Sequence, residues 1–210
     1  MIRAVLFDMD GVLIDAKDWH YEALNRALEL FGTTIDRDSH LATFDGLPTR
    51  DKLKILSKTR GLPLGLHDFL NRLKQNQTVQ ITYERCRPVF HHRQALSKLK
   101  AEGLKLGVCS NSIRQTVELM MNLSGLMPYL DILVSNEDVV RAKPDPEMYV
   151  KAIEQLALEP SDVLILEDNE HGIRAARASG AHVMVVGTTD DVRYAKIKQR
   201  IEELQKGGER

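Results

Sequence analysis

Four short strings carry the chemistry this sequence can do: Asp8-Met9-Asp10-Gly11, Ser110-Asn111-Ser112, Lys143-Pro144-Asp145-Pro146 and Glu167-Asp168-Asn169. Three of them follow directly on a short run of β-forming apolar residues, and Lys143 comes a loop later than a fourth such run. In an open α/β sheet, ligands gather beyond the carboxyl ends of the strands. Acids, a hydroxyl and an amine scattered over most of the chain are therefore expected at one rim. Carboxylates crowded together repel one another unless a cation neutralises them. Ligation by carboxylates, a carbonyl and water suits Mg²⁺, which keeps few protein ligands and binds beside substrate phosphate.

The elements that must position these residues follow from periodicity. Runs at 2–7, 104–109, 132–134, 163–166 and 183–186 are almost wholly apolar rather than alternating, as strands covered on both faces are. Helical segments near 91–102, 113–124 and 172–179 stop at Gly103, Gly125 and Gly180, and one near 146–156 opens at Pro146. The βαβα order predicts an α/β fold, a Rossmann-like parallel sheet between helices. Residues 16–86 interrupt it with helical stripes: Trp19, Ala23, Ala27 and Leu30/Phe31, then Leu53 and Leu56, then Phe69, Leu70 and Leu73. They predict a helical-bundle cap inserted into a core of 1–15 and 87–210, with a return hinge near 85–88. The Gly- and charge-rich tail at 206–210 is expected to fray.

The string from Leu6 to Asp15, Leu-Phe-Asp-Met-Asp-Gly-Val-Leu-Ile-Asp, resembles the first signature of the haloacid dehalogenase superfamily. Ser110, Lys143 and Glu167-Asp168 are similar in order and context to its other three, and the insertion resembles the helical cap of the β-phosphoglucomutase-like branch. The resemblance implies Asp8 as nucleophile, forming an aspartyl-phosphate, and Asp10 as acid–base. It implies Ser110, with Asn111 beside it, and Lys143 as phosphate-binding groups. Mg²⁺ would be held by Asp8, the Asp10 carbonyl and Asp168, with Glu167 direct or through water. The cap would exclude water and read the leaving group with His20 and Arg50, and Lys74 is a third candidate there. Ala16, Asn169 and His171 depart from the family's usual residues, which bears on substrate identity and not on the core chemistry.

Plainer readings stand beside these. Asp168 could cap the following helix, and Ser110 and Lys143 could be turn residues. His20 could lie on an exposed helix face, Arg50 suits an early helical turn, and Lys74, in a polar run, reads as solvated. Cys109, ending an apolar strand, reads as a buried inert thiol. His91-His92 do not form a metal pair, because adjacent residues diverge on a helix.

The predicted activity is a Mg²⁺-dependent phosphatase acting on a small phosphorylated metabolite such as a sugar phosphate. The alternative is a phosphomutase using the same intermediate, and the non-enzymatic option is a silent binding protein on the same fold. Dehalogenation and phosphonate hydrolysis fit poorly, since relatives doing them usually lack the second aspartate that Asp10 supplies. The net charge of −1 indicates no nucleic-acid or membrane partner, and 43% hydrophobic and 28% charged residues are ordinary for a soluble protein. Two cysteines far apart suit a reducing cytoplasm. A cytoplasmic monomer or weak homo-oligomer is the expectation.

Overall fold

The computed structural model describes residues 1–207. The chain divides into two compact units, one of Met1–Asp15 with the residues from Arg87 onward and one of Ala16–Cys86.

The first unit is built on five parallel strands in the order β3-β2-β1-β4-β5, with β1 at Ala4–Phe7, β2 at Lys105–Cys109, β3 at Ile132–Val134, β4 at Val163–Glu167 and β5 at His182–Val185. Ala4 lies beside Lys105 on one flank and Val163 on the other, so β1 is central and its side chains are buried on both faces. This explains the unbroken apolar runs. The chain leaves β3 at one edge and re-enters the sheet as β4 on the far side of β1. The mouths of β1 and β4 therefore flank the switch point at which a crevice opens.

One face of the sheet, through Ala4, Leu6, Val163 and Ile165, packs on Met148, Tyr149, Ala152 and Ile153 of one helix and on Ala175 and Ala176 of another. Helices in this unit are α4 (Phe90–Ala101), α5 (Arg114–Leu123), α6 (Glu147–Gln155), α7 (Glu170–Ala178) and α8 (Tyr194–Gly207). They stand within a residue or two of their expected bounds, and Pro146 is the residue just before α6 rather than its first. Gly103, Gly125 and Gly180 take the positive φ of helix-closing residues. The last three residues of the tail expected to fray lie outside the described residues.

The second unit comprises α1 (Lys17–Glu29), α2 (Thr49–Arg60) and α3 (His67–Arg85), with short helical turns between them. Its core is Leu24, Ala27, Leu28, Ile35, Phe44, Leu53, Leu56, Leu62 and Leu70. Three residues of the expected stripes are exposed rather than buried. Leu30 and Phe31 lie beyond the end of α1, 71% and 41% exposed, and Phe69 is also exposed, meeting Phe31 edge to face. Ala23, Leu24, Ala27 and Leu28 form the buried stripe instead, at the i, i+1, i+4, i+5 spacing of one helical face. No helix among the described residues is long and apolar enough to cross a membrane.

Candidate active site

β1 delivers Asp8, and the chain then folds back at once. Gly11 has φ 92°, a conformation a side chain would strain. Its N–H donates to the Ile14 carbonyl at 2.7 Å, while Leu13 and Ile14 both donate to the Met9 carbonyl. This tight loop keeps Asp8 and Asp10 together at the strand mouth. Asp8 is buried and Asp10 half-buried, with Asp10 Oδ2 accepting from Ser112 Oγ at 3.3 Å.

Lys143 is 3% exposed, and its Nζ donates to Asp8 Oδ1 at 2.6 Å, Glu167 Oε1 at 2.6 Å and the Cys109 carbonyl at 2.8 Å. Three acceptors match the three protons of an ammonium. Burial alone would lower its pKa, but the Asp8 and Glu167 charges hold it above the usual lysine value. Lys143 is therefore a fixed cation and not a solvated loop lysine. The Asn111 side chain, expected near phosphate, is bonded to the Lys143 backbone at both N–H and C=O. Ser110 is buried, and its Oγ accepts from the Ser112 N–H at 3.0 Å.

Glu167 is the last residue of β4 rather than a loop residue, and it is wholly buried. Asp168 follows, half-buried. Capping of α7 falls to Asn169, whose Oδ1 accepts from the Gly172 N–H at 3.0 Å, so Asp168 is not the cap of that helix.

One carboxylate oxygen from each of Asp8, Glu167 and Asp168 lies within 4.8 Å of the others. The Asp8 carboxyl is pushed well above its ordinary pKa, first by burial and then by the Glu167 charge; Lys143 opposes this, and Asp168 and Asp10 add to it. Negative charge thus exceeds what one ammonium balances. The donors are hard oxygens clustered at one crevice, which fits a divalent cation of the Mg²⁺ kind.

Reasoning from the sequence missed three participants. Tyr149 is fully buried, its hydroxyl donating to Glu167 Oε1 at 2.5 Å and its ring centroid 4.7 Å from Lys143 Nζ. In sequence it sits in an apolar stripe with Met148, Ala152 and Ile153 and reads only as core. Ser112 contacts Asp10, and its neighbourhood to Ser110 was the available signal. Gly172 is required by space: a Cβ there would lie 2.0 Å from the Glu167 carboxylate carbon. A glycine early in a helix was its only mark.

His20, Arg50 and Lys74 belong to the second unit. Lys74 is 6% exposed, with Nζ 3.1 Å from His20 Nδ1, which corrects the expectation of a solvated side chain. Arg50 is exposed in the first turn of α2. Burial pushes the Cys109 thiol up to about 12, in keeping with a buried inert thiol. The His91 and His92 rings do not diverge as expected: their centroids lie 4.5 Å apart, and His92 Nε2 lies 2.8 Å from the Thr189 carbonyl oxygen.

Residues 5–186 match the family described as haloacid dehalogenase-like hydrolase. A phosphorylated carbohydrates phosphatase of Thermotoga maritima is 32% identical over 180 residues, covering 85% of this chain and 82% of its own. A validoxylamine A 7'-phosphate phosphatase of Streptomyces hygroscopicus subsp. limoneus is 29% identical, covering 91% of this chain and 88% of its own. In fold, the crystal structure of a β-phosphoglucomutase from Clostridium difficile superposes with a TM-score of 0.83 at 21% identity, over 97% of this chain and 98% of that one. With this extent of match, and with the four strings meeting at the mouths of β1, β2 and β4, the chain belongs to the haloacid dehalogenase-like hydrolases.

Proposed function

We propose that this protein is a phosphatase that hydrolyses a small phosphorylated metabolite, of the sugar-phosphate kind, through a phosphorylated Asp8. The observation that carries this reading is Lys143 bridging Asp8 and Glu167 beside Asp168. The names of the phosphatase relatives support the substrate class.

In the proposed reaction Lys143 holds Asp8 Oδ1, and the second oxygen of that carboxylate attacks phosphorus. Asp10 gives its proton to the departing alkoxide and later takes one from the water that opens the acyl-phosphate. Positioned proton transfer of this kind is worth roughly 10²–10⁴-fold. The Ser112 hydroxyl on Asp10 Oδ2 orients the carboxyl that does this work. Ser110 binds a transferring phosphoryl oxygen, while Lys143, its three protons already held, acts on the phosphoryl group through its charge and offsets that of Asp8. Asp8, Asp168, Glu167 and the Asp10 carbonyl would hold Mg²⁺, whose contribution when bound is to offset the charge spreading over the phosphoryl group. The Ala16–Cys86 unit serves as the discriminating cap domain, with Arg50 and His20 as its reading residues.

A screen of metabolite phosphates with and without Mg²⁺ tests this. Phosphate release that requires the metal and disappears in Asp8→Asn supports it, and Mg²⁺-independent turnover or an active Asp8→Asn variant refutes it. The β-phosphoglucomutase-like fold favours one other reading, a mutase. Isomer formed faster than free phosphate, and dependent on a bisphosphate activator, would establish that instead.

A further inference from the structure

Tyr149 is a buried polar group in contact with the candidate centre that the proposed reaction leaves without work. It lies on α6, packed beneath the sheet with Met148, Ala152 and Ile153. Its hydroxyl donates to Glu167 Oε1 at 2.5 Å, and Lys143 Nζ donates to the same oxygen at 2.6 Å. A carboxylate oxygen has two lone pairs in its plane. Oε1 therefore has both occupied by donors that cannot move, one on a rigid helix and one pinned by Asp8 and the Cys109 carbonyl. Glu167 Oε2 accepts from the Asp168 N–H, at a longer 3.2 Å. It is the oxygen left to face a cation.

The other side of Glu167 is closed as well. The space a Cβ of Gly172 would need lies 2.0 to 2.1 Å from the Glu167 carboxylate atoms, so the carboxylate is seated against bare helix backbone. Its rotation is thus limited by α7 on one side and by the Tyr149 hydroxyl on the other. The same tyrosine presents its ring to Lys143 Nζ, with the centroid 4.7 Å away. One side chain thereby touches both members of the Lys143–Glu167 pair.

We infer that Tyr149 is a positioning residue for the divalent-cation centre: by holding Glu167 Oε1 together with Lys143, it directs Oε2 to the metal. The inference rests on the Mg²⁺ centre proposed above. Partners of this kind behind a metal ligand typically contribute about 10–100-fold in metal affinity or activity. The effect on Mg²⁺ affinity is expected at the lower end, about tenfold, because Lys143 still holds the same oxygen.

The test is a Mg²⁺ titration of thermal stability with no substrate present, in which a cation that binds only the folded state raises Tm with concentration. Tyr149→Phe keeps the ring under Lys143 and removes only the hydroxyl. It should need about tenfold more Mg²⁺ for the same rise in Tm. Superimposable curves for wild type and Tyr149→Phe would overturn the inference and leave the metal reading standing. A wild type whose Tm ignores Mg²⁺ would remove the metal reading, and this inference with it. Glu167→Gln and its double variant with Tyr149→Phe complete the test. If Tyr149 acts through Glu167, these two titrate alike; a further loss in the double variant overturns the inference.

Discussion

The side chain of Asn111 clasps the peptide of Lys143 from both directions. Its Oδ1 accepts from the Lys143 N–H at 3.1 Å and its Nδ2 donates to the Lys143 carbonyl at 3.3 Å. The ammonium that joins Asp8 to Glu167 is thereby tied at its root to the loop after β2. Replacing Asn111 by Ala removes both bonds, each worth about 1 kcal/mol, and frees the segment that carries Lys143. Small displacements of a catalytic group can cost up to about 10²-fold in rate. Asn111→Ala is expected to lower kcat by about 10- to 100-fold with little change in KM. Asn111→Asp keeps the acceptor and should fall between. Steady-state kinetics on any ester the wild type hydrolyses decides it; a change in KM alone would place Asn111 on the substrate instead.

Gly172 gives the second prediction. An alanine there would drive its Cβ into the buried Glu167 carboxylate, and neither α7 nor β4 can yield easily. Overpacking of this sort costs about 1–3 kcal/mol, and each kcal/mol lowers Tm by about 2–4 °C for a chain of this length. Gly172→Ala should melt lower and also lose response to Mg²⁺, because the displaced group is a proposed ligand. A variant that melts lower but titrates normally would show that Glu167 is not one.

How much of this was readable beforehand depends on what kind of signal each residue leaves. The strands announced themselves because a central parallel strand is buried on both faces, so Ala4–Phe7 and Val163–Glu167 read as continuous apolar runs. Asp8, Lys143 and Asp168 stood out as polar groups in signature strings. Lys74 was misread because its surroundings, Asn71 to Gln77, are polar in composition. Yet it stands four residues from both Leu70 and Thr78, and those three share the buried face of α3 with Ile81 and Thr82. Spacing carried the signal that composition hid. Leu30 and Phe31 failed the opposite way: they continue the apolar pattern past Glu29, where the helix has ended. Tyr149 and Gly172 act through contacts made by another element, and no local pattern marks such contacts.

Asp8→Asn separates chemistry from stability. The amide is a far weaker nucleophile, so turnover should fall to background. Without metal, however, the Asp8 carboxyl is held above its ordinary pKa by burial and by Glu167, so its ionised form destabilises the folded chain at neutral pH. A carboxylate raised in this way lowers stability as pH climbs from its unfolded value through its folded one. Asn cannot ionise. The Tm of metal-free Asp8→Asn at pH 7 should therefore be no lower than that of wild type, despite the lost ion pair with Lys143. A clearly lower Tm would mean that the ion pair with Lys143 outweighs the repulsion.

Arg50 calls for the reverse pattern. It is exposed at the start of α2, and substitutions at such positions usually change stability by less than about 0.5 kcal/mol. If it reads the distal part of the substrate, Arg50→Ala should leave Tm unchanged and raise KM several-fold, with kcat nearly intact. The effect should grow with a second anionic group on the substrate, since a guanidinium pairs with phosphate or carboxylate in a bidentate way. Equal KM values for wild type and variant across a panel of mono- and bis-phosphates would remove Arg50 from recognition.

His40 makes the second unit sensitive to acid. Its ring is 3% exposed and meets the Tyr21 ring at 5.0 Å, and its Nδ1 has no hydrogen-bond partner among the described residues. Burial first, and then the positive charge of Lys52, lowers its pKa to about 4; Asp45 and Asp18 oppose that and His20 adds to it. In the unfolded chain the imidazole takes up its proton near pH 6.5, so between about 6.5 and 4 the unfolded state binds more protons than the folded one. Stability is full above that window and declines as pH falls through it, levelling off below about 4 where both states are protonated. His92, in the other unit, has its pKa lowered by burial as well and adds in the same direction. His40→Phe keeps a ring beside Tyr21 and removes the titration, so its Tm should fall less than that of wild type between pH 6.5 and 4. Parallel Tm profiles for the two proteins would show that His40 is not the group that resists protonation.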